Sequence, residues 1–207
     1  IRRVIEAHFA FARYGLGTAL LGWVPSNAWY VALPFVVVEE ARLGASGHLR
    51  ALVNLMQPMV QVNGALATLL VPTFTKLLRD SKAATPWRFT SIMTALAALY
   101  APLLALLGPL LNRWLYRGAY PADAATWWAL GLVPACGAFF GSLRAYCMAR
   151  EQPQLPLVAT IVSALSCLTV GIALCVWRPV LGASVAMLQG VALQAGVLAW
   201  LVRARAR

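Results

Sequence analysis

Arg50, Asn54, Gln57 and Gln61 recur at spacings of 4, 3 and 4 along an otherwise apolar stretch. On an α-helix, at about 100° per residue, they fall near 0°, 40°, −20° and 20°, a narrow stripe that Gly64 and Thr68 prolong. Amides and a guanidinium in such a row exchange hydrogen bonds with hydroxyls and attract anions; they are not bases that abstract protons. A polar stripe running the length of a membrane span must face water or other helices, because lipid would strand every polar group. Two readings follow: hydrogen bonds tying helices together, worth ~0.6 kcal/mol each, or the wall of a wet lumen. Several long polar side chains in one row, capped by a charge, favour the lumen. Asn63 falls on roughly the opposite face, where it is expected to bond a neighbouring helix.

Three further arginines, Arg13, Arg144 and Arg150, stand near the ends of apolar stretches. Long basic side chains there reach for headgroups. They also suit an anion-attracting entrance for a phosphate-bearing ligand, since the planar guanidinium matches phosphate geometry.

Catalytic constellations are thin. Ser46-Gly47-His48 is similar to the Ser-Gly-His element of membrane lipid phosphatases, but that chemistry needs a later histidine, and the other histidine, His8, lies upstream. Gly141-Ser142 likewise has no downstream histidine to serve as base. No carboxylate pair lies inside an apolar stretch, and there is neither a phosphate-cradling GxxxxGK nor a zinc-ligand spacing. The reading is therefore non-enzymatic, with no cofactor. Cys136, Cys147, Cys167 and Cys175 lie in apolar runs without a CxxC pair and read as packing thiols.

The elements that position these residues follow from composition. The chain has 207 residues, 61% hydrophobic and 11% charged, with mean hydropathy +0.74. Soluble chains run near 45–50% apolar and 25% charged. Neither a soluble domain nor a disordered chain accommodates this. Six stretches approach the ~20 apolar residues of a membrane span: 15–38, 50–72, 89–111, 125–148, 154–177 and 180–202. Glu39-Glu40-Ala41-Arg42, Arg79-Asp80-Ser81-Lys82, Arg117-Gly118-Ala119-Tyr120-Pro121, Arg150-Glu151-Gln152-Pro153 and Arg178-Pro179 separate them. Period-2 alternation is absent, so the fold is an all-α integral membrane bundle. Pro25, Pro34, Pro58, Pro102, Pro109 and Pro134 fall inside the stretches and predict bent or broken helices.

The net charge of +11 lies between apolar runs and is read as membrane orientation, not nucleic-acid binding. With six spans, Arg2, Arg3, Arg13, Lys76, Arg79, Lys82, Arg88, Arg144, Arg150, Arg203, Arg205 and Arg207 share one side. Only Arg42, Arg50, Arg113, Arg117 and Arg178 take the other. That bias places both termini in the cytoplasm. The eight tryptophans fall mostly near span ends, as interfacial belts do. The chain opens at Ile1 and reads as part of a longer one.

The order of these features is also familiar. Arg13-Tyr14-Gly15-Leu16-Gly17 leads into the first span. Leu43-Gly44-Ala45-Ser46-Gly47-His48-Leu49-Arg50-Ala51, read as a loop, runs into the polar-striped helix, which ends at Leu69-Leu70-Val71-Pro72 before a basic segment. Over essentially its whole length the chain resembles the carboxy-terminal half of bacterial polysaccharide (O-antigen/exopolysaccharide) flippases of the multidrug/oligosaccharidyl-lipid/polysaccharide exporter superfamily. The resemblance implies one six-helix lobe of a two-lobe transporter in the bacterial inner membrane. It implies an amino-terminal lobe as partner, with membrane lipids around both. The implied substrate is an undecaprenyl-pyrophosphate-linked oligosaccharide, moved for polysaccharide biosynthesis. A drug or metabolite exporter of the same superfamily is the alternative, and a membrane enzyme of polysaccharide assembly a weaker one. The proposed substrate path is Arg50, Asn54, Gln57, Gln61 and Thr68, with Arg13, Arg144 and Arg150 attracting phosphate.

Overall fold

The structure, a computed structural model, describes residues 2–37, 42–80 and 85–205. Residues 38–41 and 81–84, which hold parts of two expected breaks, lie outside it, as do Ile1 and Arg207. Among the described residues there is no strand. Six rods form the bundle: α1 (Arg2–Val36), α2 (Arg42–Asp80), α3 and α4 in series (Trp87–Ala98, Tyr100–Tyr116), α5 (Ala124–Ala149), α6 and α7 in series (Gln154–Ser166, Ile172–Trp177) and α8 (Pro179–Ala204).

Four of these rods are long and apolar enough to cross a membrane: Trp87–Tyr116, Ala124–Ala149, Gln154–Trp177 and Pro179–Ala204. Helices α1 and α2, at 35 and 39 residues, exceed the length of a span but interrupt their apolar stretches with polar side chains. The all-helical bundle thus stands, with four rods apolar enough to span on composition alone.

Helix α5 is the centre. It packs against α2, α3, α4 and α8, while α8 also holds α6 and α7. Half of its apolar window is buried within the bundle, against 22% for Trp87–Tyr116 at the periphery. Asp123 caps its start, accepting from the Thr126 amide at 2.8 Å and the Thr126 hydroxyl at 2.6 Å. This satisfies one of the orphan amides of the first turn.

Two apolar clusters hold the rods together. One gathers Trp29, Leu33, Leu49, Leu52, Met56, Trp127, Leu130 and Met187. The other gathers Leu70, Phe74, Leu143, Tyr146, Leu155 and Leu198. Within lipid such contacts act through close packing, so small residues matter where helices cross. A Cβ on Gly131 would stand 2.7 Å from Ala101 Cα, and one on Gly108 would press into the Trp127 ring.

Three expectations change. The segment from Leu43 to Ala51, read as a loop, is helix. Ala45, Leu49 and Leu52 recur on its buried face, and that packing outweighs the ~1 kcal/mol each of Gly44 and Gly47. The prolines do not break α1, α2 or α5, which run through Pro25, Pro34, Pro58 and Pro134. Pro102 alone behaves as expected, with its rod interrupted at Leu99 in the turn that the proline ring crowds; the other interruption, a π turn at Cys167–Gly171, contains no proline. Last, Trp29 and Trp127 are core residues, 1% and 2% exposed. Trp23, Trp114, Trp128, Trp177 and Trp200 are exposed.

Candidate functional site

The apolar exterior is split by a groove of about 460 Å³ between α1, α2, α5 and α8, within the ~300–1,000 Å³ of small-molecule sites. Its floor is buried: Val53, Met56, Asn63, Pro134, Met187 and Gln194. Its rim is exposed at Ser26, Arg50, Gly64 and Arg144, so the groove opens sideways. Among the described residues no aspartate or glutamate lines it.

Asn63 sets the register of its two longest walls. Its Nδ2 donates to the Pro134 carbonyl at 2.8 Å. Farther along both helices, Ala67 of α2 sits beside Gly141 of α5. The two helices therefore run in the same direction. Arg50 precedes the level of that bond and Arg144 follows it, so the arginines are separated by roughly 30 Å of helix rise. That is about the thickness of a hydrocarbon core. Each guanidinium stands at one end of the groove, where a charge is least costly. Arg50 lies over the Tyr30 ring, 5.3 Å from its centroid.

The sequence-derived candidates divide. Arg50, Gln57 and Arg144 line the groove. Asn54, Gln61 and Thr68 do not; they are exposed on the adjoining face of α2, and Thr68 Oγ1 donates to its own helix at the Ala65 carbonyl. Arg13 and Arg150 are also outside the groove. Arg13 donates to the Tyr14 hydroxyl at 3.0 Å, and Arg150 to the Tyr146 hydroxyl at 3.2 Å.

Asn63, expected on the opposite face, is on the floor. The helical wheel gives the angle between residues but not which angle meets the neighbours. Here the groove-facing side of α2 is turned roughly 70° from the centre of the polar stripe. Ser26, Asn27, Tyr30 and Gln194 were missed as well. Ser26 and Asn27, adjacent polar residues following Pro25 inside an apolar run, were the available signal. Gln194 could be placed only by packing, where its Nε2 donates to Thr160 Oγ1 at 2.6 Å. With Ser163 Oγ to the Gly190 carbonyl at 2.7 Å and Gln189 Nε2 to Ser166 Oγ, it forms the polar seam between α6 and α8.

The two serines considered for catalysis donate to backbone carbonyls, and the histidine does not line the groove. Ser142 Oγ donates to the Ala138 carbonyl of its own helix. Ser46 Oγ donates to the Tyr30 carbonyl, and His48 packs on Tyr120. Along its length the groove presents neutral hydrogen-bonding groups, with a guanidinium toward each end. No family model, curated protein or solved structure matches the chain.

Proposed function

We propose that the chain is one wall of a translocation pathway for a lipid-linked oligosaccharide, a non-enzymatic flippase lobe of the bacterial inner membrane serving polysaccharide biosynthesis. One observation carries this reading: a laterally open, largely apolar groove that holds neutral polar side chains along its length and a guanidinium at each end, in a bundle whose outer faces are apolar. A lipid-linked sugar diphosphate has matching parts. Its prenyl tail stays in the bilayer through the open side, its hydroxyls exchange hydrogen bonds with amides, and its diphosphate is drawn to arginine. The exposed stripe of Asn54, Gln61 and Thr68 beside the groove needs a wet or polar cover, which a second lobe would supply across a shared lumen. The basic bias orients this lobe with Arg144 at the cytoplasmic side and Arg50 at the outer side.

A drug exporter that takes cations is the competing reading; the guanidinium and amide groups that line the groove among the described residues suit an anion better. Binding of a fluorescent short-chain prenyl-diphosphate disaccharide to the purified chain separates the two. Binding that weakens about tenfold in Arg144→Ala and in Arg50→Ala is expected, since a hydrogen bond to a charge is worth ~1.5–3 kcal/mol. Failure to bind it, with binding of a lipophilic cation instead, would favour the exporter.

A further inference from the structure

Asn63 has one hydrogen-bonding group too many for its surroundings. The residue is 8% exposed. Its Nδ2 donates to the Pro134 carbonyl, and a carbonyl can only accept, so chemistry fixes which end of the amide faces α5. That leaves Oδ1, an acceptor on a buried residue that lines the groove, with no hydrogen-bond partner among the described residues. Buried polar atoms without a partner are uncommon and destabilising. The groove keeps room nearby: Gly64 follows Asn63 and Gly137 lies one turn beyond Pro134. Both line the groove, and a Cβ at either would meet nothing within 4 Å.

We infer that Asn63 Oδ1 accepts a hydrogen bond from a sugar hydroxyl of the substrate, making the middle of the groove a sugar-selective subsite. The inference rests on the translocation reading above and adds the residue that tells a sugar-bearing prenyl diphosphate from a bare one. An acceptor calls for an O–H or N–H donor. The neutral polar side chains that line the same groove, Ser26, Asn27, Gln57 and Gln194, are able both to donate and to accept. A hydroxylated ring satisfies such a set, whereas a cation finds no carboxylate and a phosphate finds its guanidinium only at the ends.

The test compares two probes on the purified chain: a short-chain prenyl diphosphate and the same lipid carrying N-acetylglucosamine. The native protein is expected to bind the glycosylated lipid more tightly. Asn63→Leu is expected to weaken that binding about 2- to 12-fold, the range of one neutral hydrogen bond, and to cost the bare lipid less, so that the ratio of the two affinities falls. Retained bare-lipid binding certifies the fold. Should Asn63→Leu not fold, Gly137→Leu narrows the groove one turn beyond Pro134 while sparing the bond between Asn63 and Pro134, and the same selective loss is expected. If the native protein binds both lipids equally, or if the variants keep the preference for sugar, the subsite is wrong and the translocation reading survives. If neither lipid binds, both readings fall.

Discussion

The Asn63 side chain and the Pro134 carbonyl meet across 2.8 Å at the contact of α2 with α5, and that bond fixes which residues of the two helices share a level. Its removal should destabilise the bundle by ~0.5–1.5 kcal/mol, the net worth of an ordinary hydrogen bond. Thermal unfolding in detergent of Asn63→Ala checks this. The exposed Asn54→Ala and Gln61→Ala are expected to stay within ±0.5 kcal/mol of the parent.

Arginines inside and outside the groove should behave differently in transport. Arg144 lines the groove, whereas Arg13 and Arg150 rest against Tyr14 and Tyr146. Translocation of a prenyl-diphosphate oligosaccharide, normalised to membrane protein level, should fall about tenfold in Arg144→Ala. It should change less than about twofold in Arg13→Ala and Arg150→Ala. Equal losses at all three would mean that the groove is not the path.

Glycines separate into those a neighbour forbids to change and those it does not. Gly131→Val pushes a side chain onto Ala101 of α4 and should cost ~1–3 kcal/mol by overpacking. Gly15→Ala, where nothing lies within 4 Å, should gain ~0.5–1 kcal/mol from helix propensity. Melting curves of the two variants should therefore shift in opposite directions.

Asp123 gives a pH signature. Hydrogen bonds from Thr126 hold its carboxyl below the usual carboxylate value. A depressed value in the folded state means that the carboxylate's stabilisation is fully present above ~3.9, the unfolded value. It is lost as pH falls through the lower, folded value. Asp123→Ala should cost ~1 kcal/mol at neutral pH. Asp123→Asn should cost a few tenths and flatten the acid limb of a stability profile taken from pH 2 to 6.

Orientation is checked with cysteines introduced at Ser81 and Ala119 after replacing the four natural ones. A membrane-impermeant thiol reagent applied outside intact cells should label Ala119→Cys and leave Ser81→Cys untouched. The reverse pattern would overturn the assignment of the basic side to the cytoplasm.

Much of the fold is written in runs of residue type. The expected spans at 125–148, 154–177 and 180–202 coincide within two residues with Ala124–Ala149, the α6–α7 rod and Pro179–Ala204. An uninterrupted apolar run bounded by Pro, Arg and Asp leaves the backbone little choice but to satisfy itself as helix. The polar stripe of α2 and the arginines at 50 and 144 were equally legible, because type and spacing are properties of the chain alone.

Rotation about the helix axis is not. Whether Asn63 or Asn54 faces the groove depends on how α2 rolls against α5, which is settled by the fit of Leu49, Leu52, Val53 and Met56 into the core. The same holds for Trp127, near a span end by position yet buried by the rods that close over it. The π turn at Cys167–Gly171 contains no proline; there Gly171 lets Trp29 approach, and Gly190 lets Cys167 and Pro25 do so. Sequence determined which segments are helices and what chemistry they carry. Tertiary structure decided which side chains meet, because shape complementarity between rods exists only once they are packed.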